Sequence, residues 1–163
     1  MIQKSLFIFL IVSLVASCAK QASVVVLPGQ KIPNTNITME LAYDSALDKL
    51  IPGYKIITVG VTNQGYNPLT LNPAEDEWVI IDNHGRPHRA TQSLREEDAN
   101  TWIRLDAELR QKLSSPLIVS GGVAETFDLF VPDTVALDNF QSLVFTSSDL
   151  KMRIKVITGV KGF

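Results

Sequence analysis

Apolar and polar residues alternate along four separate stretches of this chain, and this period of two restricts its possible folds more than any other feature. The stretches cover residues 37–43, 57–62, 126–131 and 151–156. Successive side chains of a β-strand point to opposite faces of its sheet, whereas a helix repeats every 3.6 residues. The alternation therefore predicts strands with one face packed on a core.

Two denser apolar runs, at residues 78–81 and 143–145, predict further strands that are buried on both faces. The breaks at residues 63–68, 82–85 and 120–122 contain Asn, Asp and Gly, which tolerate the positive φ angles of hairpin turns. Six or seven short strands separated by such turns predict an all-β antiparallel sandwich or barrel.

Residues 94–113 interrupt the strand pattern. Ser93 and Glu96 have the spacing of a capping box, in which the serine hydroxyl caps the first turn of a helix. Beyond them, apolar residues recur at helical spacing at Trp102, Leu105, Leu109 and Leu113. We expect an inserted α-helix at about 94–113, either continuous or interrupted near Asn100, that packs on the sheet or closes one end of the sandwich.

The first 17 residues carry Lys4, an apolar core at 6–12 and small residues before Cys18. This order is typical of a secretory signal peptide, and the core is shorter than the roughly 20 apolar residues of a membrane-spanning helix. Residues 15–18 resemble the bacterial lipobox, which implies signal cleavage between Ser17 and Cys18 and lipidation of the Cys18 thiol. The alternative is a chance cysteine at the end of an ordinary signal peptide.

Lipidation of Cys18 predicts a membrane-anchored lipoprotein of the bacterial cell envelope. Ala19 follows the cysteine, in place of an aspartate that would resemble an inner-membrane retention signal. In a Gram-negative source we therefore expect the outer membrane, facing the periplasm, in preference to the inner membrane. The expected organisation is a signal peptide at 1–17, a lipidated cysteine and tether at 18–36, and a folded domain at 37–163. The tether contains an apolar run at 24–27 that could pair at a sheet edge.

Removal of the first 17 residues leaves 146 of the 163, enough for one domain with a hydrophobic core. Lys4 leaves with the signal peptide, so the 15 basic residues become 14 against 17 acidic ones, and the net charge changes from −2 to −3. A basic patch is what nucleic-acid binding requires, so we expect no nucleic-acid partner. Cys18 is the only cysteine, which leaves the domain without a disulfide.

Few residues of this chain could carry chemistry. His84 and His88 are its two histidines, and a glycine and a proline between them predict a turn in place of a helix face that would hold a metal. Asp82 is the nearest carboxylate. The acidic clusters at 75–77 and 96–98 precede a strand and open a helix, which explains them without catalysis. We expect no catalytic residue, no metal site and no small-molecule cofactor.

Four side chains are candidate contacts for a partner. Tyr66 is predicted at a loop tip, and His84 and His88 in a solvated hairpin loop. Trp102 is predicted on the inserted helix, where it is either a core residue or an exposed anchor for a partner. Its spacing relative to the leucines that follow favours the core.

Four short motifs of this chain occur together in one known family. They are an alternating strand and Pro-Leu turn at 57–71, a strand-Asp-Gly hairpin at 78–86, a Gly-Gly turn at 119–122 and a strand ending in Val-Pro at 127–132. In these motifs the chain resembles the immunoglobulin-like domains of bacterial surface lipoproteins, over about residues 37–158. The resemblance implies an immunoglobulin-like β-sandwich without a catalytic residue. The chain departs from that family at 93–113, where a shorter connection is usual.

These expectations favour a non-catalytic function. We predict a binding or assembly module whose partner is a protein or an envelope polymer. The alternative is an inhibitor of exported proteases or lytic enzymes, because a related immunoglobulin-like architecture occurs in small bacterial proteinase inhibitors. A hydrolase or metal-dependent enzyme is a third and weaker reading.

Overall fold

Each of the six predicted strands is present in the computed structural model, which describes residues 21–113 and 115–158. The predicted signal peptide and Cys18 lie outside these residues. Five further short strands accompany the six. The strands are β1 (Ala22–Val26), β2 (Gln30–Lys31), β3 (Ile37–Tyr43), β4 (Tyr54–Asn63), β5 (Leu69–Thr70), β6 (Glu77–Ile81), β7 (Pro87–Ala90), β8 (Ile118–Val119), β9 (Val123–Pro132), β10 (Ser142–Ser147) and β11 (Met152–Ile157).

Two main sheets form a sandwich, so the predicted all-β sandwich is confirmed. One sheet has the order β1-β11-β10-β6-β7 and the other β2-β3-β4-β9, with β5 and β8 as a separate pair. Strands β3-β4-β9 follow the order of strands A, B and E of an immunoglobulin domain, and β11-β10-β6-β7 follow that of G, F, C and C′. The helical insertion lies between β7 and β8, where such a domain has strand D.

The sandwich begins earlier in the chain than the predicted boundary at residue 37, which is therefore wrong. Strand β1 pairs with β11 from Ala22 to Val26, and this pair is parallel in an otherwise antiparallel sheet. Ile32 is fully buried, and β2 pairs with β3. Val24 and Val26 of the apolar run, together with Ile32, pack on the main core, so most of the predicted tether belongs to the folded domain.

The main core lies between the two sheets. Alternate residues of β4 point into it, with Ile57, Val59 and Val61 almost completely buried. Trp78 on β6 and Phe145 on β10 pack at its centre. In antibody domains a buried Trp on strand C packs against a disulfide between strands B and F. Here the aromatic ring of Phe145 lies against Trp78, in a domain without cysteine.

The predicted single helix at 94–113 is three short helices, with one break at Asp98, close to the predicted interruption near Asn100, and a second at 105–106. The carboxylate of Asp98 accepts a hydrogen bond from the Thr101 N–H at 3.0 Å, and that of Asp106 accepts one from the Leu109 N–H at 2.7 Å. Each bond caps the start of a new helix. The helices are α1 (Leu94–Glu97), α2 (Ala99–Arg104) and α3 (Ala107–Lys112), and a 3-10 turn covers Ser45–Leu47.

Ser93 precedes α1 as its N-cap residue, but its side chain makes no capping hydrogen bond, so the predicted capping box is wrong. The hydroxyl of Thr91 instead accepts a hydrogen bond from the Ser93 N–H at 3.2 Å. Thr91, three residues before the start of α1, therefore stabilises the turn that leads from β7 into the insertion.

The insertion covers the outer face of the four-stranded sheet with a second, smaller core. Ile56 and Phe130 pair across β4 and β9 on the face opposite to the main core. Leu94, Leu105 and Leu113 from the insertion pack against them and are buried. The insertion therefore packs on the sheet, one of the two arrangements that the sequence allowed. Within the described residues, no helix has the length and apolar character needed to cross a membrane.

Candidate functional site

Tyr66 lies at the tip of a loop that is held from within by a buried asparagine. The side-chain amide of Asn63 donates to the carbonyl oxygens of Asn67 at 2.8 Å and Val119 at 3.1 Å. Its side-chain oxygen accepts a hydrogen bond from the Gly65 N–H at 3.0 Å. The Tyr66 side chain itself is fully exposed. The loop therefore presents one aromatic ring to solvent on a backbone that is tied to the neighbouring turn.

Gly121, in that neighbouring turn, allows the two loops to touch. A Cβ atom at this position would overlap the carbonyl oxygen of Gly65 and would lie 2.9 Å from that of Tyr66. Only glycine permits such a close approach of two backbones. The Gly-Gly motif at 121–122 therefore serves loop packing at this end of the sandwich.

The β6–β7 hairpin is closed by Asp82, which is completely buried. Its carboxylate accepts hydrogen bonds from the backbone N–H groups of His84 and Arg86, both at 2.8 Å, and from the Arg86 Nε at 2.9 Å. The His88 Nε2 lies 2.9 Å from the same carboxylate. Burial raises the pKa of Asp82, but the hydrogen bonds outweigh it and hold the pKa well below its usual range.

His84 and His88 do not share the predicted loop. The His84 side chain is exposed in the turn, whereas His88 lies in strand β7 and its side chain is 27% exposed. The interpretation of both as members of one solvated loop is therefore wrong for His88. Among the described residues, no group of three His, Cys, Asp or Glu side chains could hold a metal ion. Asp82 organises the hairpin, a role that its position in the sequence does not indicate.

A cleft of about 340 Å³ lies between β7 and the insertion, and His88, Tyr54 and Glu97 line it. The Tyr54 hydroxyl donates to the Asp98 carboxylate at 3.4 Å. Burial, followed by the negative charges of Asp98 and Glu97, raises the pKa of Tyr54. The raised pKa keeps the Tyr54 phenol neutral, and the His88 imidazole is already bonded to Asp82. Tyr54 and His88 are thus each held by an aspartate, Asp98 and Asp82 respectively, that does not line the cleft.

A second concave surface, here called the insertion groove, has a volume of about 280 Å³. Its apolar lining consists of Leu94, Trp102 and Leu113 from the insertion together with Pro73 and Leu117 from outside it. Trp102 also packs on the second core and is half-buried. The two predicted alternatives for Trp102, a core residue or an exposed contact, therefore both hold in part, because its indole packs on the second core and also lines the groove.

Gln92 also lines the insertion groove, and its hydrogen bonding is incomplete. The residue is 3% exposed, and its side-chain Nε2 donates to the Pro116 carbonyl oxygen at 3.2 Å. Its Oε1 is buried and has no hydrogen-bond partner among the described residues. A buried acceptor without a partner costs about 1–3 kcal/mol. Ser93, Arg95, Glu96 and Ser115 complete the lining, so half of the groove residues are apolar and half are polar.

No protein-family model matches this sequence, and no curated protein is similar to it. Among solved structures, the chain is similar to the crystal structure of the yjhA protein from Bacillus subtilis, at 13% identity and a TM-score of 0.45, over 82% of this chain and 99% of that chain. It is also similar to a conserved hypothetical protein from Bacillus anthracis, at 11% identity and a TM-score of 0.35, over 80% of this chain and 94% of that chain.

Proposed function

We propose that this chain is a lipid-anchored lipoprotein of the bacterial cell envelope that acts as a non-catalytic binding module. Cys18 would carry the lipid after cleavage behind Ser17, in the outer membrane and facing the periplasm. The contact surface would be the insertion groove, and its occupant an extended segment of a protein. The observation that carries this proposal is the exposed Leu117, which lines the insertion groove together with Trp102 and Pro73.

A protein segment suits this groove better than an envelope polymer does. The backbone of an extended peptide supplies N–H and C=O groups for the polar half of the lining, and its side chains supply apolar groups for Trp102 and Leu117. Leu117 is 56% exposed, so it offers apolar area that remains uncovered in the isolated chain. A glycan would need polar partners along its whole length, and half of the lining residues are leucine, proline or tryptophan.

The alternative function, inhibition of exported proteases or lytic enzymes, would require an extended loop that fills an active site. The most exposed loop aromatic, Tyr66, lies instead in a turn that is closed on itself through Asn63. The geometry therefore favours the binding module.

Site-specific photo-crosslinking in intact cells tests this proposal. A benzoyl-phenylalanine is introduced at Leu117 in the full lipidated chain, and a matched chain carries it at Ile103. Ile103 is 66% exposed on the insertion but does not line the groove. We expect a discrete crosslinked product from position 117 that is absent from position 103.

The chemistry of that product separates the partner classes. A product that a protease digests to the size of the chain supports a protein occupant. A product that only a muramidase digests would show that the groove binds an envelope polymer and not a protein. Equal products from both positions, or no product from position 117, would contradict the groove as the binding surface.

A further inference from the structure

The described chain enters the sandwich at one defined end. Strand β1 begins at Ala22, which pairs with Met152 at the start of β11. The Gln21 side-chain amide donates to the Ser147 carbonyl oxygen at 3.5 Å, at the end of β10. Gln21 therefore lies beside the turn at 148–151 that joins these two strands.

The Tyr66 loop lies at this same end of the sandwich. The Thr70 N–H donates to the Asp149 carboxylate, in the 148–151 turn, at 2.8 Å. Leu69, next to Thr70, pairs with Val119, whose carbonyl oxygen accepts a hydrogen bond from the Asn63 side chain. We call this surface, formed by residues 21–22, 63–68 and 148–151, the β1 end.

The distance between Cys18 and the β1 end is bounded by chain length alone. Four Cα–Cα steps separate Cys18 from Ala22, and a polypeptide spans at most about 3.5 Å per residue, or about 14 Å in total. A diacylated cysteine lies at the surface of the bilayer, because its acyl chains insert into the hydrocarbon. Whatever path residues 19–21 take, Ala22 then lies within about 14 Å of that surface.

We infer that the β1 end faces the lipid bilayer and that Tyr66 rests in its headgroup region. This inference rests on the lipid anchor proposed above. A tyrosine suits that position because its ring is apolar and its hydroxyl is polar. Lys151, in the adjacent turn, is exposed and adds a positive charge that anionic headgroups attract. The Asp149 carboxylate in that turn is engaged by the Thr70 N–H.

The consequence is a fixed orientation of the module. Strand β6 runs from Glu77, next to the β1 end through the Asp76–Ser148 hydrogen bond at 2.8 Å, to the Asp82 hairpin. His84 in that hairpin is exposed and lies at the opposite end of β6. The bilayer would therefore cover Tyr66 and leave His84 in the aqueous phase.

Depth-dependent quenching tests this orientation. The chain is purified in its lipidated form with Tyr66→Cys, where Cys18 is acylated and residue 66 carries the free thiol. That thiol is labelled with an environment-sensitive fluorophore, and the matched control is His84→Cys. Both side chains are exposed, so neither substitution removes a buried contact. The probe is a vesicle of phosphatidylethanolamine and phosphatidylglycerol that contains a headgroup nitroxide lipid.

We expect quenching at position 66 to be at least about threefold stronger than at position 84. A flexible Gly-Ser insertion of about 20 residues after Ala19 should remove this difference, because the anchor then no longer restrains the domain. Equal quenching at 66 and 84 in a chain that floats with the vesicles overturns the orientation and leaves the anchor intact. A wild-type chain that fails to float overturns the anchor, and the orientation with it.

Discussion

The indole of Trp78 and the ring of Phe145 are stacked, with centroids 3.8 Å apart and planes 8° from parallel. The Phe127 ring packs edge-on against the same indole at 5.6 Å. Trp78 and Phe145 belong to one sheet and Phe127 to the other, so the three rings join the two layers. A domain of this architecture without a disulfide depends on such packing for its stability.

Replacement of Trp78 by alanine should therefore strongly destabilise the folded domain. We expect Trp78→Ala to lower the free energy of unfolding by about 3–5 kcal/mol, because it empties the centre of a close-packed core. Trp102→Ala should cost less than half of that, since the Trp102 indole is half-buried. Chemical denaturation monitored by circular dichroism measures both values. Equal costs would show that the second core matters as much as the first.

The contact between Gly121 and the Tyr66 loop gives a sharper prediction. Gly121→Ala should lower the free energy of unfolding by about 1–3 kcal/mol, because its Cβ has no space against the Gly65 carbonyl. Gly60→Ala is the matched control: its Cβ would make ordinary contacts, the nearest at 3.6 Å to Glu40. That control should be neutral within about 0.5 kcal/mol or stabilising, since alanine restricts the unfolded chain. Thermal unfolding of both variants measures these effects, and an equal loss of stability in the two would contradict the prediction.

The half-buried strands could be read from the sequence because their pattern is local. Residues 37–43 have large apolar side chains at every second position and form β3 with those bounds. In β4 and β9 the same pattern predicts the middle of each strand but not its ends, where pairing extends to residues such as Tyr54 and Val123. Burial of one face of a strand is visible in its own sequence as alternation of apolar residues. The length over which two strands pair depends on the neighbouring strand as well, so it is not visible there.

Other features depend on contacts between distant residues, which a local pattern does not contain. The parallel pairing of Ala22 with Met152 joins opposite ends of the chain. The division of the insertion follows from whether Asp98 and Asp106 cap a helix, and both also fit the exposed face of one continuous helix. Asp82 is recognisable as a turn residue, but its burial follows from how the hairpin packs on the sandwich.

Cys18→Ala tests the anchor itself. The substitution removes the thiol that lipid would modify, so we expect the chain to leave the membrane fraction while the domain stays folded. Fractionation of cells with immunodetection measures the first effect, and circular dichroism of the purified chain measures the second. Ser17→Ala, which keeps a small residue before the cysteine, should leave the distribution unchanged. Retention of the Cys18→Ala chain in membranes after a salt wash would argue against a lipid anchor.

The lowered pKa of the buried Asp82 carboxylate predicts how the stability of the fold changes with pH. Its pKa is lowered in the folded state, so the unfolded chain, with an ordinary pKa of about 3.9, takes up the proton first as the pH falls. The stabilisation by ionised Asp82 is therefore complete above about pH 5. It is lost progressively as the pH falls through about 4 toward the lower folded-state value.

Asp82→Asn removes this titration and supplies one amide where two carboxylate oxygens accept bonds from His84, Arg86 and His88. We expect the variant to be less stable than the wild type at pH 7 and to lose less stability between about pH 5 and pH 2, so that the two curves converge in acid. Urea denaturation at each pH measures this. His84→Ala keeps the backbone N–H that bonds to Asp82 and should follow the wild-type curve. Parallel curves for Asp82→Asn and wild type would mean that Asp82 is not the group that links folding to protonation.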